Sequence, residues 1–269
     1  MGGKTLLRLG WRSTGLAAAL FVVFGPLAGL LIWSVAEKWY WPAGLPQQVG
    51  FFYWRRVLTG DAWQHFTLGV EIALVVMVLS LLLTVPLAYA LVRFQMPAKP
   101  VIMMLFLLPQ AFPQLPVFAN ATVTLYRWNL AGRVPGVILI HLVGALVYSL
   151  WILVAVFQSI PPDLEDAARN LGASRLKTFL TVSLPLALPG IIAGGLLVFL
   201  YSLDEFTGTL LVGAPFVVTL PVLMYNTSMG YELQIASVTA ILLMLPGLLL
   251  LLLMERFIKA EYLSAFGRV

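Results

Sequence analysis

There is no cysteine among these 269 residues, so neither a disulfide nor a thiolate metal site can form. Histidine is almost as scarce. His65 and His141 stand far apart with no carboxylate pattern beside them, which argues against a histidine-based metal centre. An enzyme would need a convergent set of nucleophile, base or metal ligands, and the sequence offers none. No G-x-x-x-x-G-K-[ST] run occurs, so the chain brings no P-loop of its own. Tandem repeats and low-complexity tracts are also lacking. Charged residues make up only 10%, where a soluble domain carries about a quarter. What fills the chain instead is apolar: 61% of residues are hydrophobic. At ~20 apolar residues per span, the length predicts an all-α, polytopic membrane protein of five to seven helices, with no room for a large soluble domain. The formal charge of +5 would suggest nucleic acid for a soluble protein. Here it reflects basic residues collecting in cytoplasmic loops, so no nucleic-acid partner is expected.

One polar stretch interrupts the apolar C-terminal half: Pro161 to Pro189, PPDLEDAARNLGASRLKTFLTVSLPLALP. Its pattern predicts two short helices joined by a turn. Pro161 and Pro162 end one helix and suit the first turn of the next. Asp163 and Asp166 are placed to cap that start and to complement the helix dipole. Gly172 is placed to stop the first helix in a left-handed conformation. Ser174 is then placed to cap the second, with Arg175 and Lys177 in its opening turns. Spacing alone is equally consistent with an ordinary amphipathic loop helix.

The residues themselves go further. Asp166-Ala167-Ala168-Arg169, Leu171-Gly172-Ala173-Ser174 and Val182-Ser183-Leu184-Pro185 resemble the EAA signature of bacterial ABC importer permeases: E-A-A, three residues, Gly, nine residues, I-x-L-P. Asp166 stands where Glu is usual and Val182 where Ile is usual, and Glu165 just before is placed to share the acidic role. The resemblance implies a type I ABC importer permease fold with six transmembrane helices. It implies that Glu165, Asp166, Ala167, Ala168, Arg169, Gly172, Ala173 and Ser174 form cytoplasmic coupling helices seated in a groove of an ATPase subunit. The implied partners are an ABC ATPase dimer, a second permease (a copy or a relative) and a periplasmic solute-binding protein, all around a lipid bilayer. ATP would be bound and hydrolysed by the partner, leaving this chain no cofactor.

Along the chain, Leu16 to Trp33 reads as a retained first span, since its apolar run exceeds the ~7–15 residues of a signal peptide. Residues 37 to 67 form a polar break whose Trp39, Tyr40, Trp41, Tyr53, Trp54 and Trp63 suggest an interfacial aromatic belt or, alternatively, a substrate-facing lining. Leu68 to Arg93 reads as the second span and Val101 to about Tyr126 as the third. This third span carries Pro109, Pro113 and Pro116. Gln110 and Gln114 lie four apart, as do Asn120 and Thr124, so each pair is expected to share a face. Val134 to Phe157 reads as the fourth span, in which a lone His141 is most simply a packed, hydrogen-bonded side chain. Leu184 to Phe206 reads as the fifth, residues 207 to 233 as a glycine-rich loop, and Leu233 to Met254 as the sixth. The whole of 1–269 is expected to be a single permease domain, with a five-helix core at about 68–258 and coupling helices at about 159–183. Eleven basic residues (Lys4, Arg8, Arg12, Arg93, Lys99, Arg169, Arg175, Lys177, Arg256, Lys259 and Arg268) fall on one side and five (Lys38, Arg55, Arg56, Arg127 and Arg133) on the other. That bias predicts a multi-pass inner-membrane protein with both termini in the cytoplasm.

Asp204 and Glu205 raise the question of what passes through. A carboxylate at membrane depth costs roughly 2.5–3.5 kcal/mol and usually faces a partner or a water-filled cavity. Either the pair sits at the outer end of the fifth helix in water, or it offers acceptors to a cationic solute along with Ser202. Gln110, Gln114 and Asn120 are the other candidates for the path, although helix–helix hydrogen bonding would equally explain them. Ser202-Leu203-Asp204-Glu205-Phe206 with Thr219-Leu220-Pro221-Val222 looks like the S-x-D-[DE]-[FV]…T-L-P segment of spermidine/putrescine-type permeases. That resemblance implies a polyamine or related small amine. Permeases for 2-aminoethylphosphonate, opines, thiamine and ferric iron share much of the segment and remain alternatives. An ion-driven secondary transporter would be expected to show matching broken helices in its two halves. The proline-rich third span has no such counterpart.

Overall fold

The computed structural model describes the backbone of residues 2–266 and the side chains of residues 15–252. The chain is a succession of helices: α1 (Gly2–Val35), α2 (Phe52–Thr59), α3 (Ala62–Arg93), α4 (Lys99–Ala111), α5 (Gln114–Arg127), α6 (Val134–Ser159), α7 (Pro162–Asn170), α8 (Arg175–Thr178), α9 (Leu184–Leu203), α10 (Leu220–Met229) and α11 (Leu233–Phe266). A two-stranded antiparallel sheet, β1 (Ala36–Lys38) with β2 (Gln48–Val49), lies between α1 and α2. π-helical turns at Phe179–Ser183 and Thr209–Gly213 complete the helical elements.

Among the described residues, five stretches are long and apolar enough to cross a membrane: Gly15–Val35, Ala62–Arg93, Val134–Ser159, Arg175–Leu203 and Leu233–Leu252. A sixth is broken. α4 and α5 meet at a bend of 100° rather than running as one helix over 101–126. Phe112 and Pro113 are extended at the break, with ψ of 150° and 127°. A residue before proline is pushed out of the helical region by the ring, which stops α4 there. Gln110 and Gln114 therefore flank the bend and do not share a helical face, contrary to their four-residue spacing.

Two further boundaries differ from expectation. The second short helix expected in the polar stretch does not end before the fifth span. From Arg175 the chain stays helical through the π turn into α9, so one rod runs to Leu203. The π turn lies just ahead of Pro185, whose ring removes a donor and crowds the carbonyl four residues back. The expected loop at 207–233 likewise holds a π turn and α10. Lys4, Arg8, Arg12, Arg256, Lys259 and Arg268, on which part of the charge bias rests, lie outside the residues whose side chains are described.

The chain divides into two compact units, residues 1–64 with 223–244, and residues 65–222 with 245–269. The first has a small core of Val57, Ala62, Ile235 and Val238 packed with Tyr53 and Trp54. Outside it, Tyr40 and Trp41 are exposed, which is compatible with either an interfacial belt or a substrate-facing lining. The second unit carries two apolar clusters, one about Ile72, Val76, Val137, Ile140 and Val198, the other about Ala88, Leu91, Leu150, Leu153, Phe157 and Ala187. Here α9 lies tight on α6. A Cβ on Gly190 would come within 2.5 Å of Val156, and one on Gly194 within 3.2 Å of Ile152. Small residues permit that approach in a bundle where lipid provides no hydrophobic drive between helices.

Candidate functional site: the coupling segment and the end of the long helix

α7 begins at Pro161, whose side chain can give no cap hydrogen bond. Asp163 and Asp166 do not cap it, contrary to the spacing. Pro162 at the first helical position supplies no N–H, and Asp166 is instead paired with Arg169 one turn on. Asp163 and Glu165 lie in the first turn, where carboxylates suit the positive end of the helix. The helix closes as the pattern predicts. Gly172 has φ +88°, its N–H bonds Arg169 O at 2.9 Å, and the Ala173 N–H bonds Ala168 O at 3.1 Å. A left-handed residue of this kind strongly favours glycine. Ser174 then caps α8, its Oγ accepting from the Lys177 N–H at 3.3 Å.

The two acidic residues of this helix face opposite ways. Asp166 and Arg169 are about half exposed and hold each other, so their charges are already matched within the chain. Ala167 is exposed and Ala168 partly so, leaving a low surface between them. Glu165 turns inward and is buried. It accepts hydrogen bonds from Arg93 Nε at 2.8 Å, Ser183 Oγ at 2.8 Å and Tyr89 Oη at 3.3 Å. Arg93 also donates to Ile160 O at 2.8 Å. Glu165 thus does not share the exposed acidic role set out for it. It ties α7 to the end of α3 and to the π turn of the long rod. Arg93, Tyr89 and Ser183 were not legible as its partners. A basic residue at the end of a span reads as a topological charge, and nothing in the sequence joins it to a loop so far along the chain.

At the other end of the rod the acidic pair also divides. Asp204 is exposed, while Glu205 is buried beside His141, whose Nε2 is 3.2 Å from Glu205 Oε2 and 2.8 Å from Thr209 Oγ1. Glu205 further accepts from the N–H groups of Gly208 at 2.9 Å and Thr209 at 3.0 Å, capping the turn that follows. Ser202 is buried and its Oγ lies 2.8 Å from His141 Nδ1. His141 is therefore packed and hydrogen-bonded on both ring nitrogens. Nothing in the spacing of His141 along the chain joins it to Glu205. The six residues put forward for the path are not brought together as one set: Ser202 and Glu205 are turned into the protein, while Gln110, Gln114, Asn120 and Asp204 are exposed. Asn120 returns its amide to Pro116 O at 2.9 Å. No group of three or more metal-ligating side chains occurs among the described residues.

Residues 78–261 match the family described as the binding-protein-dependent transport system inner membrane component. The chain belongs to that family. It is an ABC importer permease, an inner-membrane transport component and not an enzyme. A permease assigned to 2-aminoethylphosphonate transport in Salmonella paratyphi A is 28% identical over 93% of this chain and 97% of its own length. The trehalose transport system permease of Mycobacterium tuberculosis is 29% identical over 82% of each chain. The fold is that of the crystal structure of a bacterial ABC transporter importing the acidic polysaccharide alginate. That match has a TM-score of 0.73 at 18% identity, over 96% of this permease and 98% of the other chain. Relatives with such unlike solutes support the family and leave the finer spermidine/putrescine likeness without support of its own.

Proposed function

We propose that this permease passes a small solute bearing an ammonium group, 2-aminoethylphosphonate ahead of the polyamines. The observation that carries this reading is the end-to-end similarity to the aminoethylphosphonate permease, 93% of one chain and 97% of the other. The acidic pair supports it. Glu205 is occupied by His141 and two backbone N–H groups, which leaves Asp204 as the available acceptor of the two. One free carboxylate suits a solute with one ammonium group better than a diamine or triamine. In this reading Asp204, Gln110, Gln114 and Asn120 face the solute, and Ser202 and Glu205 hold the segment that presents Asp204.

The working assembly has two permease domains, this chain with a second copy or a relative, two ATPase subunits and a periplasmic binding protein. Both termini of this chain lie in the cytoplasm. Residues 165–174 dock on the ATPase, and their movement rocks the membrane helices between two states.

ATP hydrolysis by the reconstituted complex, challenged with a panel of loaded binding proteins, tests the proposal. Stimulation and uptake with 2-aminoethylphosphonate are expected. Stimulation by spermidine or putrescine alone would reverse the order within the amines. A response only to a sugar or to molybdate would remove the amine reading and leave the permease intact.

A further inference from the structure

Between α7, α8 and the end of α3 lies a cavity of about 200 Å³, lined among others by Arg93, Glu165, Asp166, Arg169, Arg175 and Thr178. Its charges do not balance within the chain. Arg93 is matched by Glu165 and Arg169 by Asp166. Arg175 has no carboxylate partner among the described residues, and its guanidinium stacks on the Phe94 ring at 5.5 Å. Thr178 sits beside it with 1% of its surface exposed, and its hydroxyl has no hydrogen-bond partner. Other helical threonines here return the hydroxyl to the carbonyl four residues back: Thr84 to Ser80, Thr122 to Phe118 and Thr181 to Lys177, all at 2.7 Å. Thr178 does not, and its buried hydroxyl is left unpaired, which is unfavourable.

We propose that Arg175 and Thr178 receive a carboxylate side chain of the ATPase subunit, a contact separate from the Asp166–Arg169 surface. An unmatched guanidinium and a free hydroxyl donor call for an anionic acceptor, and the planar fork of arginine fits a carboxylate. Asp166 and Arg169, both half exposed, form part of the lining, so the cavity borders the face that the coupling reading gives to the ATPase. Two carboxylates among the lining residues, Glu165 and Asp166, already have partners and cannot fill the role without leaving those partners unpaired. The incoming carboxylate would hold α8, and hence the rod continuous with α9, directly to the ATPase. The inference rests on ATPase docking at residues 165–174.

Binding of the ATPase subunit to the full-length permease in lipid nanodiscs tests it. Wild type is expected to bind. R175Q should weaken binding about tenfold or more, as loss of one partner of a hydrogen-bonded interfacial charge pair does. T178V should weaken it by a smaller factor, with T178S close to wild type. In R175K, carbodiimide should join residue 175 by an amide bond to an Asp or Glu of the ATPase, located by peptide mass spectrometry. Wild-type binding by R175Q overturns the inference while leaving ATPase docking in place. So does a defect seen only in discs of anionic lipid and absent in phosphatidylcholine, which would assign the cavity to a lipid headgroup. A cross-link confined to Glu165 or Asp166 of this chain overturns it as well. Failure of the wild type to bind any ATPase would defeat the docking reading first and this inference with it.

Discussion

Two acidic dipeptides, Glu165-Asp166 on α7 and Asp204-Glu205 just after α9, flank the rod in sequence and are built alike. In each, one carboxylate is exposed and its neighbour is buried with a basic partner. The partners differ. Glu165 has an arginine, a permanent cation that also holds a backbone carbonyl, whereas Glu205 has a histidine and two backbone N–H groups. The first buried acid joins three separate elements, α7, α3 and the π turn. The second mainly closes the turn after α9 and holds it to α6. Adjacent acids of one charge thus sit differently: the buried one positions its segment, while the exposed one stays at the surface.

Breaking the first of these anchors should have the largest effect. E165A leaves Arg93, whose side chain is only 13% exposed, without its carboxylate. Loss of one partner of a fully buried pair costs about 3–5 kcal/mol, so a cost toward the lower end of that range is expected. Thermal unfolding in detergent should show a large destabilisation, with R93A similar and the double variant far from additive. Additive losses would mean that the two side chains act independently. At the other end, Gly208 and Thr209 donate to different oxygens of Glu205, so E205Q keeps an acceptor for only one of them and loses the charge facing His141; about 1–3 kcal/mol is expected. If E205Q proves the more damaging of the two, the ranking of the anchors is inverted.

Gly172 comes next in expected effect. A side chain at φ +88° costs about 1–2 kcal/mol of backbone strain. A Cβ there would meet no other atom within 4 Å, so packing adds nothing to that cost. Gly172→Val should insert normally yet hydrolyse ATP without matching uptake. Wild-type uptake would show that the turn's geometry is not needed for coupling. The smallest effect on stability belongs to Asp204. D204N should stay within about 0.5 kcal/mol of wild type, as surface substitutions usually do, while amine uptake falls. Unchanged uptake of every amine tested would remove Asp204 from the path.

How much of this could be read from the chain varies from element to element. The Gly172 turn and the Ser174 cap were legible because both are local: a left-handed residue and a hydroxyl three residues before the N–H it accepts from. The break at Phe112-Pro113 was within reach of the same local physics, but three prolines in one span left its position open. The capping role expected of Asp163 and Asp166 failed because side-chain spacing says where a cap is possible, not which partner the carboxylate prefers. Glu165 with Arg93, and Glu205 with His141, could not be read at all.

By itself, the order of residues determined the class: scarce charge and long apolar runs require buried backbone hydrogen bonds, and in lipid that means helices. It also determined the family, since the coupling segment's alanines, glycine and proline keep a fixed spacing along the chain. Only the tertiary structure decided which carboxylate of each pair faces inward. That choice depends on basic side chains carried by helices far along the chain, and a carboxylate is buried only where folding brings hydrogen-bond donors within reach.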